Sequence, residues 1–139
     1  MGESLIALYI VLAHLIGDYL IQSHWMATKK TEQWIPAIAH GVTYTIPYAA
    51  PMLLGWIELS IPALLIIGGT HIVIDRFRLA RHFAWFKNQL APKASRFTWA
   101  SAKGTGYPAD TPPWLAVWLM IIADNTLHLI INTAAILLL

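Results

Sequence analysis

The chain contains no cysteine among its 139 residues, which excludes disulfides, thiolate metal ligands and a cysteine nucleophile. Charge is scarce as well. Only 12% of the residues are Asp, Glu, Lys or Arg, against about 25% in soluble domains. A formal net charge of +2 with no basic tail offers little to a polyanion, so no nucleic-acid partner is expected. Basic residues are missing from whole regions: none occurs before Lys29, between Lys30 and Arg76, or after Lys103. The leader Met-Gly-Glu-Ser therefore lacks the basic region of a cleaved signal peptide, and the apolar run behind it is too long for one. Hydrophobic residues, by contrast, make up 58% and the mean hydropathy is +0.58. This is a membrane composition, in a chain with room for a single domain over residues 1–139.

Four segments, near 4–22, 34–56, 58–77 and 114–138, are long and apolar enough to cross a bilayer core, which takes roughly 20 helical residues. The expected fold is all-α: a polytopic membrane protein with four transmembrane helices in a bundle. All nine basic residues follow the first span (Lys29, Lys30) or the third (Arg76 through Lys103). Basic loops stay in the cytoplasm, so the N-terminus and C-terminus are both expected outside, with a cytoplasmic loop over residues 78–113. Trp25, Trp34, Trp56 and Trp114 lie near the proposed ends, as interfacial aromatics do. Pro36 suits a first helical turn, whereas Pro47 and Pro51 should kink the second span.

Beyond Arg76 the pattern changes. Leu79, Phe83, Phe86 and Leu90 follow a helical stripe, which reads either as a short amphipathic helix on the inner surface or as an extension of the third span. Residues 91–113 are rich in small and turn-forming types, including Gly104-Thr-Gly106-Tyr-Pro108 and Pro112-Pro113. This long loop reads equally as a lid and as a mobile connector. Its Gly-Thr-Gly piece has no strand before it, so it is no phosphate loop.

Polar residues stand inside the apolar segments in a repeated pattern. His14-Leu-Ile-Gly-Asp18 and His71-Ile-Val-Ile-Asp75 are two His-x-x-x-Asp pairs, Asp124-Asn-Thr-Leu-His128 is the same pair reversed, and His40 sits in the remaining segment. Residues four apart on a helix share a face, about 6 Å apart along the axis. The first and third spans run toward the cytoplasm and the fourth runs back, so the reversed pair restores the same order in space: carboxylates toward the cytoplasm, imidazoles above them. The first two pairs also form a weak internal repeat, as a duplicated helical hairpin would.

An Asp at mid-membrane costs about 2.5–3.5 kcal/mol, and three approach ~9 kcal/mol, comparable with the whole stability of a small protein. These groups must be protonated, paired with imidazolium, hydrated or bound to cations. One such pair alone reads first as hydrogen-bond glue between helices. Three oriented pairs with His40 read better as a metal site built from His14, Asp18, His40, His71, Asp75, Asp124 and His128. Imidazole and carboxylate without thiolate suit a divalent zinc, manganese or iron, and so many ligands suit two ions better than one. Asn125, Tyr44, Thr70 and Asn132 are candidates to orient the ligands, and Gln22 continues the face of Asp18. His24 and His82, in basic surroundings, read as surface residues. Gly17, Gly41, Gly68 and Gly69 flank the pairs and would let helices approach closely.

No serine lies on the apolar faces near the pairs, so the chemistry open to this inventory is a metal-activated water attacking an ester or phosphoester. Asp18, Asp75 and Asp124 are the candidate catalytic carboxylates, one of them free to take a proton. Arg76 could steady a phosphate or simply snorkel to the interface.

The blocks Ala13-His-Leu-Ile-Gly-Asp-Tyr-Leu-Ile-Gln22, His40 with Thr43-Tyr44-Thr45, Thr70-His-Ile-Val-Ile-Asp-Arg76 and Asp124-Asn-Thr-Leu-His128 resemble a family of small phage and bacterial polytopic membrane proteins of unknown function. In motif style they are also similar to predicted membrane-bound metal-dependent hydrolases. The resemblance implies a bacterial inner membrane and a multi-span protein with a polar constellation. The leading expectation is metal-dependent hydrolysis of a lipid-linked or membrane-proximal ester. The rivals are a cation or proton transporter using the same cluster, which four spans could form only as a homo-oligomer, and a non-enzymatic phage exclusion or interaction protein. Membrane lipids are the expected partners.

Overall fold

The computed structural model describes residues 2–139, without the side chain of Glu3; Met1 of the leader lies outside the described residues. Every regular element among them is helical. Helix α1 (Glu3–Leu15) passes directly into a π-helical segment, Ile16–Ile21. Then come α2 (His24–Lys29), α3 (Trp34–Leu53), α4 (Ile61–Phe77), α5 (Leu79–Asn88), a 3-10 turn (Lys93–Ser95), α6 (Trp99–Ala102) and α7 (Pro113–Leu138). The all-α expectation is met. Two helical stretches, Ser4–Ile21 and Pro113–Leu138, are long and apolar enough to cross a membrane.

The chain divides into two compact units, one of residues 1–77 with His128–Leu139, the other Arg78–Leu127. In the first, α3 packs against α4, α1 and the π segment. Its interior is unusual in kind. The largest fully buried side chains are Tyr44, Tyr48, Ile67, His14, His40, His71, His128, Asn132 and Pro36, and much of the remaining buried apolar set is alanine. Large aliphatics point outward instead: Leu20, Ile35, Leu53 and Leu65 are each at least 70% exposed.

Small residues set how closely the helices approach. A Cβ on Gly17 would come within 2.7 Å of the Tyr44 ring and 3.0 Å of the Tyr44 carbonyl, and a Cβ on Gly41 would run into Ile72. Gly68 faces Thr45 in the same way, so three of the four glycines singled out above have the expected role. Gly69 does not: nothing lies within 4 Å of its missing Cβ. Helix α3 continues through both Pro47 and Pro51.

In the second unit α5 is a separate helix and not an extension of α4, because Arg78 takes a left-handed backbone conformation (φ 53°) that breaks the helical path. Its stripe residues Leu79, Phe83, Phe86 and Leu90 are exposed. The long loop is folded back on α5. Arg78 donates to Gly104 O (2.9 Å), Arg81 to Lys103 O (3.0 Å) and Trp85 Nε1 to Phe97 O (3.3 Å), and His82 stacks on Trp99 at 4.5 Å. Gly106 (φ 84°) closes this turn where a side chain would strike the Arg81 carbonyl.

Candidate metal centre

Three helical elements of the first unit bring the polar pairs together. Asp18 comes from the π segment, His40 from α3, and His71 with Asp75 from successive turns of α4. The π segment matters because the wider winding redirects a side chain relative to a regular helix; π turns often occur at functional sites. His40 Nε2 lies 3.1 Å from Asp18 Oδ1 and 3.3 Å from Asp75 Oδ2. His71 Nε2 lies 3.3 and 3.2 Å from the same two oxygens. The two Nε2 atoms are 2.9 Å apart. One ligand atom from each of these four buried residues falls within 4.8 Å of all the others, so they could hold a metal ion. Bonds of about 2.0–2.2 Å would separate neighbouring ligand atoms by roughly 2.8–3.6 Å in octahedral or tetrahedral geometry. All five distances above fall in that interval.

The other predicted ligands take different places. His14 Nε2 is 3.6 Å from Asp18 Oδ2, and His128 Nε2 is 3.4 Å from Asp75 Oδ1. Each thus sits against the carboxylate oxygen that does not face the four-atom cluster. Asp124 stands four residues before His128 on α7, partly buried, in the second unit.

The orienting contacts that ligand imidazoles need are also present. His71 Nδ1 meets His128 Nδ1 at 3.3 Å, His14 Nδ1 meets the Tyr44 hydroxyl at 2.7 Å, and Gln22 Nε2 lies 3.3 Å from His40 Nδ1, though closer (2.8 Å) to the Nε2 that faces the carboxylates. Tyr44 stacks on His71 with ring centroids 3.6 Å apart. Asn132 donates to both Tyr44 (2.6 Å) and Tyr48 (2.8 Å), fixing the wall behind the imidazoles. Gln22 and Tyr44 therefore meet imidazoles, as their positions implied, whereas Asn132 meets the two tyrosines. Thr70 does not, since its hydroxyl is spent on Ile66 O of its own helix (2.7 Å). Replacing Asn132 by Leu should lower thermal stability in detergent by about 1–3 kcal/mol, the cost of two buried hydrogen bonds lost, although Tyr44 keeps His14 and Tyr48 keeps the Ile10 carbonyl.

Two basic residues change role. Arg76 is no free phosphate clamp: it donates to Thr31 O (2.6 Å) and Glu32 O (3.1 Å). Lys30, which the sequence marked only as a topology signal, places Nζ 2.6 Å from Asp75 Oδ2. No local spacing relates residues 30 and 75, so sequence inspection had no means of finding the contact.

A family model described as "Protein of unknown function (DUF3307)" matches residues 6–103. The chain belongs to this family. The match includes all four converging residues of this DUF3307 protein, together with His14 and Lys30, and ends before Asp124 and His128. Neither the comparison with curated proteins nor that with solved structures gave a match.

Proposed function

We propose that this DUF3307 chain is a four-span inner-membrane protein whose buried centre binds a divalent metal and hydrolyses a lipid-linked or membrane-proximal ester or phosphoester. The observation that carries the reading is the convergence of Asp18, His40, His71 and Asp75 at mutual distances of 2.9–3.3 Å for five of their contacts.

The membrane reading draws support from lengths and exposure. Only 28% of the apolar window of the first span and 17% of that of α7 are buried, whereas a core helix of a soluble protein would be largely covered. Helix α3, with 20 residues, extends about 30 Å, and α4, with 17, about 26 Å. Both expose aliphatics such as Val42, Ile46, Leu65 and Val73. The orientation gains support as well: Lys30 reaches Asp75 and Arg76 reaches Thr31, so the two basic connectors share one end of the unit. By the bias of basic residues toward the cytoplasm that end faces inward.

The metal's identity bears on the chemistry. Zinc held by four protein ligands in a closed tetrahedron is the signature of a structural site, whereas a catalytic ion keeps an open position. Manganese or iron with six positions would leave two for water and substrate around the same four residues. When bound, such an ion would supply an acidified water and polarise the scissile oxygen.

Metal analysis of the full chain purified in detergent tests the reading, with an assay of phospholipid or lipid-linked ester cleavage before and after chelation. The expected result is at least one transition metal per chain and a cleavage activity that chelation removes and manganese or iron restores. A metal-free protein would overturn the site; tightly held zinc with no activity toward any ester would reduce it to a structural role.

A further inference from the structure

Lys30 is held against the centre by a clasp of two consecutive residues. At the end of α4, Asp75 takes the Lys30 ammonium at 2.6 Å while Arg76 takes the next two carbonyls, of Thr31 and Glu32. The Arg76 guanidinium also lies over the Trp34 ring at 5.2 Å. The Lys30 side chain is 17% exposed, whereas neighbouring Lys29, paired with Glu32 at 3.5 Å, is 46% exposed. Lys30 is thus not a loose surface lysine. Its ammonium touches the same Asp75 oxygen that faces His40 and His71, and it remains partly open to the outside.

Charge bookkeeping then points to a ligand. A divalent ion held by the four converging residues and the Lys30 ammonium would share the one Asp75 oxygen. Two cations on one carboxylate oxygen make a local surplus of positive charge at the partly open side, and charge that is not compensated in a buried site is costly. An uncharged carboxylic ester leaves that surplus in place. A phosphate group cancels it and accepts hydrogen bonds from the ammonium, as phosphates do from lysine.

We propose that Lys30 is the anion-binding residue of this centre and that the ligand it receives is a phosphate group. This rests on the metal reading above and narrows its substrate class from esters in general to phosphoesters.

Binding measurements on the full chain in detergent test it, with manganese first titrated into wild type, Lys30→Met and Lys30→Arg. Inorganic phosphate and phosphatidic acid in mixed micelles are then titrated into each loaded protein. Wild type should bind at least one of the two probes in a metal-dependent manner; the probe bound identifies a soluble phosphate or a lipid headgroup as the source. Lys30→Met should hold manganese at least as tightly as wild type, because a competing cation is gone. It should bind the phosphate probe about 10–100-fold more weakly, as loss of a charged hydrogen bond implies, and Lys30→Arg should recover most of the affinity. Should Lys30→Met fail to fold, Lys30→Gln makes the same comparison with a neutral donor. Phosphate binding unchanged in the neutral variant, or absent for both probes in loaded wild type, overturns the proposal and leaves the metal site standing. Loss of manganese from the neutral variant also overturns it, since Lys30 would then be holding the ligands together. Failure of wild type to bind manganese or any other divalent metal overturns the metal reading itself.

Discussion

The double variant Asp18→Asn, Asp75→Asn should lose transition-metal binding by more than about a hundredfold, because even an outer partner of a metal ligand is worth 10–100-fold in affinity. Both carboxylates are needed for a physical reason. Each offers one oxygen to the pair of Nε2 atoms at 3.1–3.3 Å, and an amide oxygen carries no net charge to offset the cation. The substitution is nearly isosteric and keeps the packing volume, but it takes the carboxylate partners from Lys30, His40 and His71, so the fold is measured alongside the metal. In His14→Gln the loss should be smaller, since His14 touches the other oxygen of Asp18 at 3.6 Å. Metal analysis beside circular dichroism on the same samples checks both statements. Retention of stoichiometric metal by the double variant would remove Asp18 and Asp75 from the site.

The second large effect is expected at a residue with no side chain at all. Gly17→Ala should destabilise the protein by about 1–3 kcal/mol or more, the usual cost of overpacking. The added methyl meets the backbone carbonyl of Tyr44 at 3.0 Å and its Cα at 3.2 Å as well as the ring at 2.7 Å. Backbone cannot swing aside as a flexible side chain can, so the π segment and α3 must separate. That separation also moves the Tyr44 hydroxyl from His14 and Asp18 from His40, so metal affinity should fall together with stability. Gly69→Ala is the matched control. Nothing lies near its Cβ position, and alanine is the better helix former by up to about 1 kcal/mol, so thermal melting should be unchanged or raised. Equal losses at the two glycines would mean that the π segment and α3 do not meet as described.

Much of the candidate site was legible in the chain, and the parts that were not share a cause. Spacing of four on a helix brought His71 and Asp75 to one face, as the structure has them. It applied less directly to His14 and Asp18, because α1 gives way to π winding at Ile16 and no residue between them announces that change. Spacing also could not separate, among the candidates of the first unit, the four that converge from the two that sit behind the carboxylates. The loop 91–113 was legible only as a loop; that it lies along α5 depends on backbone carbonyls of Phe97, Lys103 and Gly104, which carry no sequence signature.

By itself the sequence determined the helical class, the apolar segments, the basic ends and the inventory of imidazoles and carboxylates. These are properties of residue type and of periodicity along one chain, which local physics sets. Only the tertiary structure decided which atoms meet. Asp18 and His40 are 22 positions apart, and Lys30 and Asp75 are 45 positions apart. Their meeting depends on how far α3 and α4 can approach across Gly41 and Gly68 and on where Arg76 ties down the segment after Lys30. Helical periodicity tells which face a residue occupies; the depth and rotation at which that face meets its neighbour are set by side-chain volumes on both helices at once.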